Sequence, residues 1–158
     1  MALLDMPLRT MWSEVQDVRD KVEALLADLP PEAREATVMT ASELVENAIK
    51  YGESVPAAPN ATVSLHRDGD VVRVVVRNGA ASEAGARDLL AHIERLSAAD
   101  DRMALYLARL RELMTSPGGS SRLGIYRIGC EGGFDLAGDY TDRVITVTAT
   151  RRIEGGAS

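Results

Sequence analysis

Cysteine, tryptophan and phenylalanine each occur once in this 158-residue chain, and aromatic residues make up only 4% of it. The lone Cys130 rules out an intrachain disulfide. Neither His66 nor His92 stands in a recognisable Cys–His arrangement, so a buried structural thiol is expected rather than a nucleophile. Basic residues are also short, 18 against 24 acidic ones, for a net charge of −6. A duplex nucleic-acid surface needs clustered Lys and Arg to neutralise phosphates, so that class of partner is excluded. No apolar run approaches the ~20 residues of a membrane span. The opening MALLDMPLRTMW has no basic segment followed by an apolar one, so no signal peptide is expected. A cytoplasmic protein without nucleic-acid or membrane partners follows from these absences. The length suits one domain over 1–158, and a 46% hydrophobic content suffices for its core.

Trp12, Val15, Val18, Val22, Leu25, Leu26 and Leu29 recur at helical spacing and predict a helix over 11–28. Leu29-Pro30-Pro31 stops it, and Pro31 suits the first turn of a second helix over 31–52. Val38, Ala41, Leu44, Val45, Ala48 and Ile49 form the apolar stripe of that helix, and Gly52 stands where a glycine C-cap would. Strand patterns over 62–66 and 71–77 flank Asp68-Gly69-Asp70, a hairpin signal. Two helical patterns follow, one with Ala86, Leu89, Ile93 and Leu96, the other with Met103, Tyr106, Leu107, Leu110, Leu113 and Met114. A small-residue loop over 115–121 leads into a short helix over 122–130. Gly132-Gly133 breaks it before a second strand pair over 134–136 and 143–151. The tail 154–158 is expected to fray. This order predicts an α/β (α+β) two-layer sandwich: a mixed, mainly antiparallel sheet covered on one face by helices.

On the second helix Glu43, Asn47 and Lys50 share a stripe opposite the apolar one, at ~100° per residue. A solvated face with an ordinary Glu–Lys pair is one reading. Asn47 points the other way, because Asn is a mediocre helix former whose amide competes for backbone groups. An Asn between a carboxylate and an ammonium suits a phosphate and metal site. Magnesium takes oxygen ligands and shares them with nucleotide phosphates, and a lysine can face a phosphate as a point charge.

The run Glu43-Leu44-Val45-Glu46-Asn47-Ala48-Ile49-Lys50-Tyr51-Gly52 resembles the asparagine box of the GHKL superfamily of histidine-kinase-like ATPases, with their Bergerat fold. It looks closest to the bacterial serine kinases that act as anti-sigma factors. The resemblance implies that Asn47 holds the magnesium that bridges ATP phosphates, that Glu43 is the general base, and that Lys50 borders the nucleotide. The family's adenine box, Asp-x-Gly-x-Gly, corresponds here to Asn78-Gly79-Ala80-Ala81-Ser82. Asn78 stands for the Asp, while Ala80 and Ser82 replace two glycines. A strand-ending Asn-Gly turn with no ligand is the other reading of that stretch. The second glycine box corresponds to Gly118-Gly119-Ser120-Ser121-Arg122-Leu123-Gly124-Ile125, where Ser121-Arg122 departs from the usual glycine. Either a phosphate cradle formed by Gly118, Gly119, Ser120, Ser121, Leu123 and Gly124, or a plain loop feeding a helix, accounts for it. From Val76 to Cys130 the chain also resembles SiaB-like regulators, with Glu131-Gly132-Gly133 after the short helix.

The resemblance implies a bacterial signalling regulator that binds ATP and Mg²⁺ and phosphorylates Ser or Thr of a partner in a partner-switching circuit. That partner would be a STAS-type antagonist or a sigma-factor-like regulator. A degenerate domain that binds no nucleotide and acts as a protein-binding switch is the alternative. The apolar first helix serves either a homodimer or partner interface, or simple core packing.

Overall fold

The computed structural model describes residues 1–8, 11–115 and 122–153. The elements run β1 (Ala2–Leu8), α1 (Ser13–Leu25), α2 (Pro31–Tyr51), β2 (Ala61–Asp68), β3 (Val71–Gly79), α3 (Glu83–Ala98), α4 (Arg102–Thr115), α5 (Leu123–Cys130), β4 (Asp135–Thr141) and β5 (Val144–Arg152). The strands form one five-stranded sheet in the order β1-β2-β3-β5-β4, and every pairing is antiparallel. The architecture is therefore the two-layer α/β sandwich that the element order predicts, with an antiparallel rather than a mixed sheet. The tail over 154–158 lies outside the described residues.

Period-two patterning sets the two faces of the sheet. Val63 and Leu65 on β2, Val72, Val74 and Val76 on β3, and Ile145, Val147 and Ala149 on β5 are buried under the helices. The opposite face carries Ser64, Arg73, Val75, Arg77, Thr146 and Thr148 and is only partly covered or exposed. Tight turns fix the register. Gly69 takes φ +63° between β2 and β3, and Asp142 and Arg143 (φ 54° and 62°) make the two-residue turn between β4 and β5. Positive φ at both central residues is the type I′ geometry that matches strand twist.

The helical layer centres on α2. Its small Ala33, Ala36, Ala41 and Ala48, with Leu44 and Val45, are buried, and α1 packs against it, with Val18, Val22 and the following Leu26 also buried. Complete burial of each such Val or Leu stabilises by roughly 1.5–3 kcal/mol. Gly52 ends α2 without the left-handed conformation expected of a glycine cap, since its φ is −74°. Glycine is needed there for space: a Cβ would lie 2.2 Å from the Ala48 carbonyl oxygen.

Three further expectations need correction, and the sequence predicts no strand where β1 forms. Strand β1 carries no recognisable period of its own, and Pro7 interrupts it. It forms because pairing with β2 supplies hydrogen bonds, and an edge strand tolerates a proline that cannot donate. Helix α1 starts at Ser13 rather than 11, which leaves Trp12 60% exposed instead of on the inward stripe. Helix α4 has no buried residue; Met103, Leu107 and Met114 face outward, and the helix rests on α5. Cys130 is only partly buried, with its Sγ 3.7 Å from the Met103 sulfur, and burial raises its pKa above the ordinary thiol range.

Candidate functional site

Between α2 and the C-terminal half of β3 the two layers separate around a cavity of about 380 Å³, a size typical of small-ligand sites. Its floor is apolar. The β3–β5 register sets Val76 beside Val147 and Asn78 beside Ile145 on the helix-facing side, and Leu44 and Leu89 close it from α2 and α3. Its rim is polar, with Asn47, Lys50 and Tyr51 from α2, Asn78 from β3, and Arg122 at the start of α5. Positions 50 and 51 lie one helical turn after 47, which explains how α2 presents all three to one space.

Asn78 is the polar residue in phase with Val72, Val74 and Val76, so the alternation that buries the valines buries it too. Its Nδ2 donates to the Gly79 carbonyl at 2.9 Å. Gly79 does not line the cavity. It is glycine because the chain after α2 crosses directly over it: a Cβ would lie 2.1 Å from the Glu53 carbonyl oxygen, and Glu53 N–H donates to the Gly79 carbonyl at 2.8 Å. The next residues are held by local contacts. The Ala80 backbone is fixed on both sides, by the Arg143 carbonyl and by the Tyr140 hydroxyl. Ser82 caps α3, its Oγ accepting from Gly85 N–H at 3.1 Å.

Glu43 does not line the cavity. One turn before Asn47, it turns toward α5, where Arg127 donates to its Oε1 at 2.7 Å. Gly124 lies against the same carboxylate so closely that a Cβ there would come within 2.2 Å of Oε2. Burial, reinforced by Glu46, raises the Glu43 pKa above the ordinary carboxylate range, and the Arg127 charge opposes this without cancelling it. Leu123 and Gly124 belong to the first turn of α5 and neither borders the cavity. Gly118, Gly119, Ser120 and Ser121 lie outside the described residues. Of the residues singled out from sequence, the cavity therefore brings together Asn47, Lys50 and Asn78.

Two further residues, for which the sequence predicts no role, line the cavity. Tyr51 follows Lys50 at the end of the polar stripe, where a ring next to a lysine is a detectable signal. Arg122 stands at the start of α5. Its side chain is 4% exposed, its Cζ stacks 4.0 Å from the Tyr51 ring centroid, and its backbone takes the left-handed φ of 52°. Nε meets Asp88 Oδ2 at 3.3 Å and Nη2 the Gly85 carbonyl at 3.3 Å. Asp88 also faces His92 at 3.5 Å, and His92 Nδ1 lies 2.5 Å from the Tyr126 hydroxyl, so α3 and α5 are tied behind the site. Burial lowers the His92 pKa despite Asp88.

Among the described residues three buried side-chain polar atoms have no hydrogen-bond partner, and two of them, Asn47 Nδ2 and Arg122 Nη1, belong to residues lining this cavity. Buried polar groups are nearly always satisfied, yet two residues that line this space each carry an unsatisfied buried donor. No group of three or more His, Cys, Asp and Glu side chains suited to a metal occurs among the described residues. Any magnesium at Asn47 Oδ1 would therefore depend on oxygens from a ligand, as is usual for that ion. No helix among the described residues is long and apolar enough to cross a membrane. Compared with known proteins, the chain matches no family model and no curated sequence.

Proposed function

We propose that the chain is a nucleotide-binding signalling domain of the histidine-kinase-like ATPase type, taking ATP with magnesium in the cavity between α2 and β3. The observation that carries this reading is the pairing of an apolar slot with a polar rim whose donors Asn47 Nδ2 and Arg122 Nη1 lack partners. In it, Asn78 Oδ1 accepts from the exocyclic amine of the base, and the apolar floor takes the flat ring. Lys50 and Asn47 border the phosphates. Asn47 Oδ1 is the group that would hold magnesium, which supplies charge neutralisation when bound. Phosphoryl transfer asks mainly for positioning and neutralised charge.

The activity proposed on the strength of the resemblance is phosphorylation of a Ser or Thr on a partner protein, a STAS-type antagonist or a sigma-factor-like regulator. Glu43 is the base in this account. A carboxyl with a raised pKa is a stronger proton acceptor than an ordinary one, but it must exchange Arg127 for the acceptor hydroxyl. A nucleotide-free protein-binding switch is the second reading, favoured by that Arg127 pairing and by Arg122 lying on the Tyr51 ring. Equilibrium dialysis with labelled ATP and magnesium separates the two. Saturable binding that Asn78→Leu abolishes supports the first, and no binding at millimolar ATP leaves the switch. Transfer of γ-phosphate to a candidate partner, lost in Glu43→Gln, then tests the kinase activity.

A further inference from the structure

We infer that the outward face of α4 is a self-association surface, on which a second copy of the chain packs its own α4 antiparallel about a two-fold axis. The surface lies apart from the nucleotide cavity, which no α4 residue lines. Helix α4 has no buried residue, and Met103, Leu107 and Met114 are 51%, 45% and 82% exposed. With the partly buried Leu110 they occupy positions 103, 107, 110 and 114, the alternating spacing of a coiled-coil seam. The side of α4 that packs on the core is a different one, carried by Leu105 and Tyr106. Single exposed apolar side chains need no explanation, but a continuous stripe along one helix marks an interaction surface. Methionine, at both ends of this stripe, is enriched in such surfaces because its side chain adapts to a partner.

The symmetry of the stripe identifies the occupant. Met103-x3-Leu107-x2-Leu110-x3-Met114 reads the same in both directions, and a two-fold interface requires a surface complementary to itself. Antiparallel pairing about the midpoint sets Met103 against the partner's Met114 and Leu107 against the partner's Leu110. Charge agrees with that alignment. Asp100 and Arg111 are both exposed, neither makes an ion pair among the described residues, and both flank the stripe on one side at ~100° per residue. Antiparallel pairing brings the acidic start of each helix toward the Arg111 end of the other and aligns the helix dipoles favourably; a parallel pair would bring like ends together. Three turns of helix make a contact at the small end of specific interfaces, below ~1,200 Å², so the dimer exchanges with monomer rather than being permanent.

The test has two arms. Sedimentation equilibrium of the full chain from about 10 μM to about 1 mM should show a monomer–dimer equilibrium. Leu107→Glu and Met114→Glu, each checked for native circular dichroism, should weaken it about 100-fold or more, because each substitution enters a two-fold interface twice. In the second arm Met103→Cys and Met114→Cys are made separately in a Cys130→Ser background, since the Cys130 Sγ lies 3.7 Å from the Met103 sulfur. Oxidation of the two variants mixed should give a disulfide-linked dimer, and oxidation of either alone should not, because like positions then stand ~16 Å apart along the axis, too far to bridge. A wild type that stays monomeric over the whole range overturns the inference, as does a dimer that both glutamate variants leave intact. Cross-linking of each single variant as readily as of the mixture, or none in the mixture, overturns the antiparallel pairing.

Discussion

Asn47→Leu removes a buried donor that has no partner in the ligand-free chain. An unsatisfied amide of this kind costs about 1–3 kcal/mol. Leucine at the same position meets Leu44 and the apolar floor, and the adjoining cavity of about 380 Å³ gives the larger side chain room, so overpacking is not the opposing term. Helix propensity adds about 0.5 kcal/mol in the same direction. The variant should therefore be more stable than the wild type by roughly 1.5–3.5 kcal/mol. For a chain of 158 residues that raises the midpoint of thermal unfolding by roughly 3–14 °C. Urea titration is the cleaner assay, because the midpoint should rise with an unchanged slope. If the proposed nucleotide site is right, the same substitution also removes a site residue, so stability and binding should move in opposite directions, as they do where a site is kept at the expense of the fold. A gain no larger than the ~0.5 kcal/mol of propensity would mean that Nδ2 is already satisfied. A loss of stability would make Asn47 a structural residue and refute the reasoning.

Gly79→Ala should cost about 1–3 kcal/mol, because its Cβ meets backbone at Glu53. Gly124→Ala should cost less, because its Cβ meets the end of the Glu43 side chain; denaturation midpoints of the two variants decide the order. The depressed His92 pKa makes an unfolded chain bind more protons than the native one below the ordinary His value, so stability is complete above about pH 6.5 and falls as pH drops through the lowered native pKa. Urea midpoints at pH 7.5 and 5.5 should therefore differ less in His92→Gln than in the wild type. Glu43 has the opposite sign: its raised pKa means that ionisation opposes folding, and stability should decline as pH rises from the ordinary carboxylate value through the raised one. Glu43→Gln should flatten that decline in the same titration.

The helices and hairpins were legible because each carries its own period or turn chemistry, as α2 does from Pro31 to Gly52 and the β2–β3 hairpin does around Gly69. Strand β1 was not, because its pairing partner lies some 60 residues away and nothing in ALLDMPL alternates. The site divides in the same way. Asn47 and Lys50 were visible through helical spacing, and Asn78 through its place at the end of a strand. The Arg127 partner of Glu43, 84 residues distant, and the contact of Arg122 with Tyr51 depend on how α5 docks, which no local pattern encodes. Along the chain Arg122 is one basic residue after a small-residue loop; in three dimensions it is the most buried charge lining the cavity.

The central claim is that the cavity between α2 and β3 takes a nucleotide, and thermal unfolding of the wild type in magnesium with and without ATP tests it most directly. ATP at 100 times its dissociation constant adds about 2.7 kcal/mol, so the midpoint should rise by roughly 5–10 °C, with no such rise in Asn78→Leu. An unchanged midpoint at millimolar ATP, in a chain that unfolds cooperatively, would contradict the account.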